Sequence, residues 1–168
     1  ISSANQLQLT NNLGSTGTYN PVWAPDNSKI YVRKVGLSPI DIGVYSISPT
    51  SATTTLGSQA CNIGSFFELY DVNPANTYLL YRIIDESAPE LHNQLFMCEI
   101  NGDTTNINLT SFEDPQNTYY GAYFSPDGKF IVASRLKTAT ETSEIVTFPV
   151  GYSVLPYIGT ITTILSRS

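Results

Sequence analysis

The residues with the chemistry for catalysis are few and scattered. The 168-residue chain holds one histidine, His92, in the acidic, loop-like run Glu90-Leu91-His92-Asn93. A catalytic triad needs a nucleophile, a base and an orienting group, and the sequence contains no Gly-x-Ser-x-Gly nucleophile elbow. We therefore interpret His92 as a solvated loop residue.

The carboxylates do not form an obvious acid–base pair or cation site. Asp85-Glu86 and Glu113-Asp114 are adjacent pairs, and adjacent residues on a strand face opposite ways. We interpret them as loop charges that keep the surface soluble. Asp103, Asp114 and Asn117 are oxygen donors suited to calcium, but their spacing matches no known motif. The sequence thus predicts no catalytic, metal-binding or cofactor-binding residue, and we expect a protein that is not an enzyme.

The two cysteines, Cys61 and Cys98, do not stand at a metal-ligand spacing, and a single histidine argues against a zinc site. They could pair in an oxidising compartment. The alternative is two separate buried thiols, since free cysteine is commonly a core residue. We favour separate thiols, because Cys98 lies in the apolar run Leu95–Cys98.

Aromatic residues recur shortly before each of three similar turns, and we expect most of them in the core. The set is Tyr19, Phe66, Phe67, Tyr70, Tyr119, Tyr120 and Tyr123. Tyr19, Tyr119 and Tyr120 lie nearest the predicted loop ends. Because aromatic side chains are enriched at interfaces, we predict that these three form a rim that contacts a ligand or a protein partner.

The turns themselves organise the chain. The run Tyr123–Ser134 predicts a strand, a tight turn at Pro126-Asp127-Gly128, and a second strand. Trp23–Arg33 repeats this pattern, and Val72–Arg82 repeats it without the aspartate. Proline suits the second position of a type I turn, aspartate accepts a backbone hydrogen bond, and glycine or asparagine tolerates the left-handed conformation that follows.

A longer period surrounds each turn. The large residues that precede the turns, Trp23, Val72 and Phe124, stand 49 and 52 residues apart, and two further short strands are predicted after each hairpin. In the first unit the fourth strand is predicted near 52–56. Four strands in about fifty residues are typical of one propeller blade. We predict blades at 11–57, 58–110 and 111–168, and an outer strand of a preceding blade at 5–10.

These runs resemble the TolB-type β-propeller repeat, whose pattern is an aromatic residue, Ser or Ala, then Pro-Asp-Gly and an apolar strand. The resemblance is strongest over Leu95–Leu136 and weakest at Asn73-Pro74-Ala75-Asn76, which lacks the aspartate. It implies an all-β fold of three four-stranded antiparallel blades. The family includes periplasmic scaffold proteins that bind partners and non-catalytic propellers attached to peptidases, and its motif contains no catalytic residue.

The charge and hydropathy patterns narrow the classes of partner. The net charge is −6, and the eight basic residues form no stripe, so we expect no nucleic-acid partner. No apolar run approaches the length of a membrane span. A surface rich in Ser, Thr and Asn suits an exported protein, and the family resemblance implies a bacterial, periplasmic setting, although no leader sequence is visible.

Three blades alone would leave two apolar faces in water, since propellers close with about four to eight blades. We expect the propeller to be completed by missing sequence, or by a second copy of the chain in a six-bladed ring. The remaining alternative is that the three units pack in another way. The expected function is a protein-binding scaffold. The alternatives are an accessory propeller that controls substrate access to an enzyme such as a serine peptidase, and a lyase-type propeller, against which the single histidine argues.

Overall fold

A computed structural model describes residues 9, 17–35, 42–51, 56–84, 93–102, 106–111, 117–151, 157–158 and 162–167. Within these ranges all regular structure is β-strand, which confirms the predicted fold class. The strands are β1 (Gly17–Trp23), β2 (Ile30–Val35), β3 (Gly43–Ile47), β4 (Gln59–Asn62), β5 (Phe67–Val72), β6 (Tyr78–Ile83), β7 (Leu95–Glu99), β8 (Asn106–Asn108), β9 (Thr118–Phe124), β10 (Phe130–Lys137), β11 (Thr142–Gly151), β12 (Tyr157–Ile158) and β13 (Thr162–Arg167). No membrane-spanning helix occurs in the described part of the chain.

The strands form three antiparallel sheets in chain order. Sheet 1 has the order β1-β2-β3-β4, and sheet 2 has the order β5-β6-β7-β8. Sheet 3 runs β9-β10-β11, and its fourth strand comes in two pieces, because β12 and β13 both pair with β11. Each sheet is thus a four-stranded meander, which is the architecture of a propeller blade.

The repeated turn has the predicted chemistry. In sheet 3 the Gly128 amide donates to the Ser125 carbonyl at 2.8 Å, and Gly128 has a φ of 71°. The Asp127 carboxylate accepts from the Lys129 amide at 3.1 Å. Asn27 and Asn76 hold the same left-handed place in the other copies, with φ of 58° and 55°.

Neighbouring turns also touch. Gly128 approaches the Pro74 ring so closely that an added Cβ would lie 3.4 Å from its Cδ. The Tyr31 hydroxyl of sheet 1 donates to Asn76 Oδ1 of sheet 2 at 3.0 Å. The turn of sheet 2 therefore contacts the turn of sheet 3 and strand β2 of sheet 1.

The core has one layer between each pair of successive sheets, and a third, smaller cluster of Ile30, Val32 and Ile47 lies in sheet 1. The layer between sheets 1 and 2 centres on the buried rings of Tyr31, Phe67 and Tyr81. The layer between sheets 2 and 3 contains Leu80, Met97, Phe124, Ile131 and Phe148, among others. Sheet 2 is thus apolar on both faces, because both are covered.

One predicted boundary differs from the structure. The fourth strand of sheet 1 is Gln59–Asn62, which pairs with β3, so the first unit extends past the predicted end at residue 57. The threonine-rich run at 52–55 lies outside the described residues. β-Propensity favoured that run, but burial of Ala60 and Cys61 against sheet 2 places the strand later. The predicted strand at 5–10 is described only at Leu9.

The expectation of two separate thiols is wrong. Cys61 in β4 and Cys98 in β7 form a disulfide, with their Cα atoms 6.4 Å apart. The bond crosses from the edge of sheet 1 to sheet 2. Backbone contact supports it there, since the Asn101 amide donates to the Ala60 carbonyl at 3.0 Å. Pairing was the alternative that the sequence left open, and no local pattern around either cysteine indicates that β4 lies beside β7.

Candidate functional site

A cleft of about 850 Å³ opens where the first strands of the three sheets converge. We call it the inner-strand cleft. β1 contributes Trp23, β5 contributes Glu68, Tyr70 and Asp71, β6 contributes Arg82, and β9 contributes Tyr120 and Tyr123. The site therefore combines residues from all three sheets.

β-Bulges shape this cleft. The strand register shifts between Tyr19 and Val22 in β1, between Leu69 and Asp71 in β5, and between Tyr120 and Tyr123 in β9. Asn20 and Gly121 adopt positive φ at two of these shifts. A bulge bends a strand and re-aims its side chains. Here it breaks the in–out alternation of the innermost strands at the point where they approach each other.

A hydrogen-bonded network crosses the floor of the cleft. The Arg82 guanidinium donates to Glu68 Oε2 at 2.9 Å. The Tyr70 hydroxyl donates to the same oxygen at 2.9 Å, and burial raises the pKa of Tyr70. The Tyr120 ring covers the Arg82 guanidinium at 4.8 Å from Cζ to the ring centroid. Since Tyr120 belongs to sheet 3, this network joins sheets 2 and 3.

Asp71 has a different environment. Its Oδ2 accepts from the Phe124 amide at 2.8 Å, and the Val72 amide is its other donor. Burial of the carboxyl raises the pKa of Asp71, and these two backbone hydrogen bonds offset only part of the shift. Among the described residues no lysine or arginine pairs with Asp71.

Two aromatic side chains in the cleft stay open to solvent. Trp23 is 54% exposed and Tyr123 is 54% exposed. Within the described part of the chain neither ring stacks on another ring or on a cation. Exposed aromatic surface beside fixed charges is suited to binding a partner's side chain.

The structure separates the three tyrosines predicted to contact a partner. Tyr120 lines the inner-strand cleft and is exposed. Tyr19 is exposed but lies beside a smaller groove, with the Arg33 guanidinium 4.9 Å from its ring centroid. Tyr119 is fully buried and lies 5.8 Å from the Phe148 ring. Adjacent strand residues face opposite ways, so Tyr119 and Tyr120 could not both be at the surface.

The wider aromatic set is less buried than predicted. Phe67 and Tyr119 are core residues, but Tyr19, Phe66, Tyr120 and Tyr123 are exposed. Sequence reasoning also did not predict that Trp23, Glu68, Asp71 and Arg82 line one cleft. The available signal was the Asn20-Pro21 pair and Gly121 inside strand patterns, which mark bulges.

The structure does not describe most of the other sequence candidates. His92, Asp85-Glu86, Glu113-Asp114 and Asp103 fall outside the described residues. Asn117 is buried at the start of sheet 3. Within the described ranges no three His, Cys, Asp or Glu side chains gather as metal ligands.

Comparison with known proteins gives structural likeness only. No protein-family model and no curated protein sequence matches the chain. A solved TolB structure from Agrobacterium tumefaciens matches 91% of this chain and 82% of its own, with a TM-score of 0.41 and 13% identity. A prolyl endopeptidase structure matches 88% of this chain with a TM-score of 0.34 and 15% identity, and the match spans 29% of the endopeptidase chain. The description of the fold therefore rests on the strand pairing itself.

Proposed function

We propose that this chain is a non-enzymatic, propeller-type module that binds a protein partner through the inner-strand cleft. The observation that carries the proposal is the pair of exposed rings, Trp23 and Tyr123, in the same cleft as the charged groups of Glu68, Asp71 and Arg82. The described lining holds no serine, cysteine or histidine to act as a nucleophile or base. Rigid sheets that present aromatic anchors are suited to recognition.

We further propose that the module works in an oxidising compartment, such as the bacterial periplasm, or is otherwise exported. The Cys61–Cys98 bond supports this, because disulfides persist outside the reducing cytosol. The sparse charge of the surface agrees with it.

Capture with matched variants tests the binding proposal. The immobilised protein is compared with a Trp23→Ala/Tyr123→Ala variant and with Phe66→Ala, which removes an exposed ring outside the cleft. We expect a discrete partner that the wild type and Phe66→Ala retain and that the double variant loses by about tenfold or more. Equal capture by all three folded proteins would contradict the proposed surface.

A second candidate is an accessory propeller that controls substrate access to a larger enzyme, such as a serine peptidase. It is favoured by the position of the inner-strand cleft, which lies where the innermost strands meet and not on an outer edge. A gene that encodes an α/β-hydrolase domain beside this chain would favour the accessory role. A separate gene with a leader sequence would favour the scaffold.

A further inference from the structure

The aromatic rings around the cleft differ in whether a cation already covers them. Tyr120, in the cleft lining, carries Arg82 with the guanidinium carbon 4.8 Å from the ring centroid, and Tyr19, beside the smaller groove, carries Arg33 at 4.9 Å. Trp23 and Tyr123 carry no such group from the described residues. The molecule thus uses arginine-on-aromatic contacts at two places and leaves two further rings open.

The two carboxylates of the cleft also differ in whether a cation of this chain already pairs with them. Glu68 already receives Arg82 at 2.9 Å and the Tyr70 hydroxyl at 2.9 Å. Asp71 receives only backbone amides, in a half-buried position, and no cation from the described residues lies against it. Glu68, Asp71 and Arg82 are the charged residues of the lining, so the cleft carries one net negative charge.

We propose that the inner-strand cleft binds a cationic side chain, lysine or arginine, presented by a protein partner. This rests on the proposed partner-binding function and names the group that is recognised. The ammonium or guanidinium group would pair with the Asp71 carboxylate, and its hydrocarbon stem or planar face would lie against Trp23 and Tyr123. Aromatic rings beside a carboxylate favour a cation through both the ring quadrupole and the ion pair.

An anionic group fits this cleft less well. Arg82 is the only basic residue of the described lining, its charge is matched by Glu68, and the Tyr120 ring covers one face of its guanidinium. An approaching anion would also meet the uncompensated charge of Asp71. The raised pKa of Asp71, which burial causes, agrees with a carboxylate that lacks a cation and gains one on binding.

The single tryptophan of the chain, Trp23, makes the site directly observable. Blocked pentapeptides of the form acetyl-Gly-Gly-X-Gly-Gly-amide, where X is lysine, arginine, norleucine or glutamate, are titrated while Trp23 fluorescence is recorded. We expect saturable changes with lysine or arginine and an affinity about tenfold or more lower for norleucine, which keeps the stem without the charge. Glutamate should give no saturable change.

Asp71→Asn removes the charge and keeps the volume and an acceptor for the Phe124 amide. We expect it to weaken binding of the cationic peptides by about tenfold or more. The matched control is Asp127→Asn, which neutralises an exposed turn carboxylate outside the cleft and should leave the affinity unchanged. Circular dichroism spectra of both variants confirm that they are folded.

Three results would overturn the proposal. They are equal affinity for the norleucine and lysine peptides, an affinity in folded Asp71→Asn within about twofold of wild type, or no saturation by either cationic peptide up to about 20 mM. If any of these occurs while the Trp23→Ala/Tyr123→Ala variant still loses a captured partner, the cleft binds a partner by another chemistry. The proposed function then stands and the cation proposal falls.

Discussion

Asn73 shows how one side chain can substitute for another in the repeated turn. Where the other copies have an aspartate after the proline, sheet 2 has Ala75. Asn73 sits at the start of the turn, and its Oδ1 accepts from the amides of Thr77 and Tyr78 at 2.8 Å each. Its side chain is buried. The turn is therefore held from its first residue, which explains why the missing aspartate is tolerated.

We predict that Asn73→Ala lowers the free energy of unfolding by about 1–3 kcal/mol, because it removes the buried acceptor of the Thr77 and Tyr78 amides. Urea denaturation followed by circular dichroism measures it. Asp127→Ala in the exposed turn of sheet 3 serves as the control and should cost less than Asn73→Ala, since water can replace its hydrogen bonds. Equal losses of unfolding free energy in the two variants would show that the burial of Asn73 does not set its contribution to stability.

The sequence predicts the turns well and the inner strands poorly. The Pro-Asp-Gly chemistry is local, so Asp127 and Gly128 could be assigned from their neighbours alone. Whether Tyr119 or Tyr120 faces outward depends on a bulge whose exact place is set by packing of β9 against sheet 2. The role of Asp71 depends on Phe124, 53 residues away. A contact between residues so far apart in the chain cannot be predicted from a local sequence pattern.

A buried ion pair joins two neighbouring strands of sheet 3. Arg135 of β10 and Glu144 of β11 are opposite one another in the ladder, and both side chains are buried. Arg135 donates to Glu144 Oε2 through Nη2 at 2.6 Å and Nε at 3.1 Å. Lys137 Nζ lies 3.0 Å from Glu144 Oε1. Burial acts to raise the pKa of Glu144, but the hydrogen bonds from Arg135 and Lys137 outweigh it, so the pKa is lowered.

We predict that Glu144→Gln destabilises the protein by about 3–5 kcal/mol at neutral pH, because it removes the carboxylate charge that lies against the buried Arg135 guanidinium. Lys137→Ala, at the more exposed end of the pair, should cost under about 1 kcal/mol. Urea denaturation gives both values.

The same ion pair predicts a pH dependence. Since the folded pKa of Glu144 lies below its ordinary value of 4.5, its contribution is complete above that value and is lost as the pH falls through the folded pKa. The difference in stability between wild type and Glu144→Gln should therefore shrink in acid. A difference that grows below pH 4.5 would contradict the assignment.

The disulfide is an element-scale contact, since it joins β4 to β7 across 37 residues. We predict that Cys61→Ser/Cys98→Ser lowers the free energy of unfolding by about 3–4 kcal/mol, because the open loop gains conformational entropy when unfolded. Adding dithiothreitol to the wild type should give a similar loss. A thiol assay on the denatured, unreduced protein should find no free cysteine, and two free thiols per chain would contradict the bond.

The missed fourth strand of sheet 1 has a physical cause at the same scale. Alanine and cysteine at positions 60 and 61 have no strong strand preference, and the strand forms because sheet 2 and the disulfide cover them. The third and fourth strands of sheet 2 were predictable, because Leu95–Ile100 is apolar and an Asn-Gly turn follows it.

At the scale of the whole molecule, the same repeat position has different environments in the three sheets. Tyr31, Leu80 and Val132 each follow the residue paired with the large residue before the turn. Tyr31 and Leu80 are buried against the next sheet, at 1% and 0% exposure, but Val132 is 37% exposed. Phe130, two residues earlier, is also exposed. The outer face of sheet 3 thus repeats a surface that is covered at both internal junctions.

We propose that a second copy of the chain covers this face in a two-chain, six-bladed ring. Repetition of the internal junction supports it, since the first sheet of a partner would present the next face in the series. Leu9 already contacts Ile30, Val32 and Ile47 on the outer face of sheet 1. A ring that closes at this face would have to displace Leu9 or pack it within the new interface.

We predict a solution mass twice the 18.4 kDa of one chain by light scattering. Val132→Glu should give the single-chain mass, because it places a charge in the proposed junction. Ser51→Glu, at an exposed position in the connection between β3 and β4, should leave the mass unchanged. A folded wild-type protein with the mass of one chain would exclude the ring and would favour completion by further sequence.

The Cys61–Cys98 bond also makes a closed covalent ring that contains the whole of β5 and β6. A protease that cuts the chain once between these two cysteines produces pieces that migrate together on a denaturing gel until a thiol reductant is added. A nick in sheet 3 releases its pieces without reductant. The two gel patterns distinguish cleavage inside the ring from cleavage beyond it, without knowledge of the cut site.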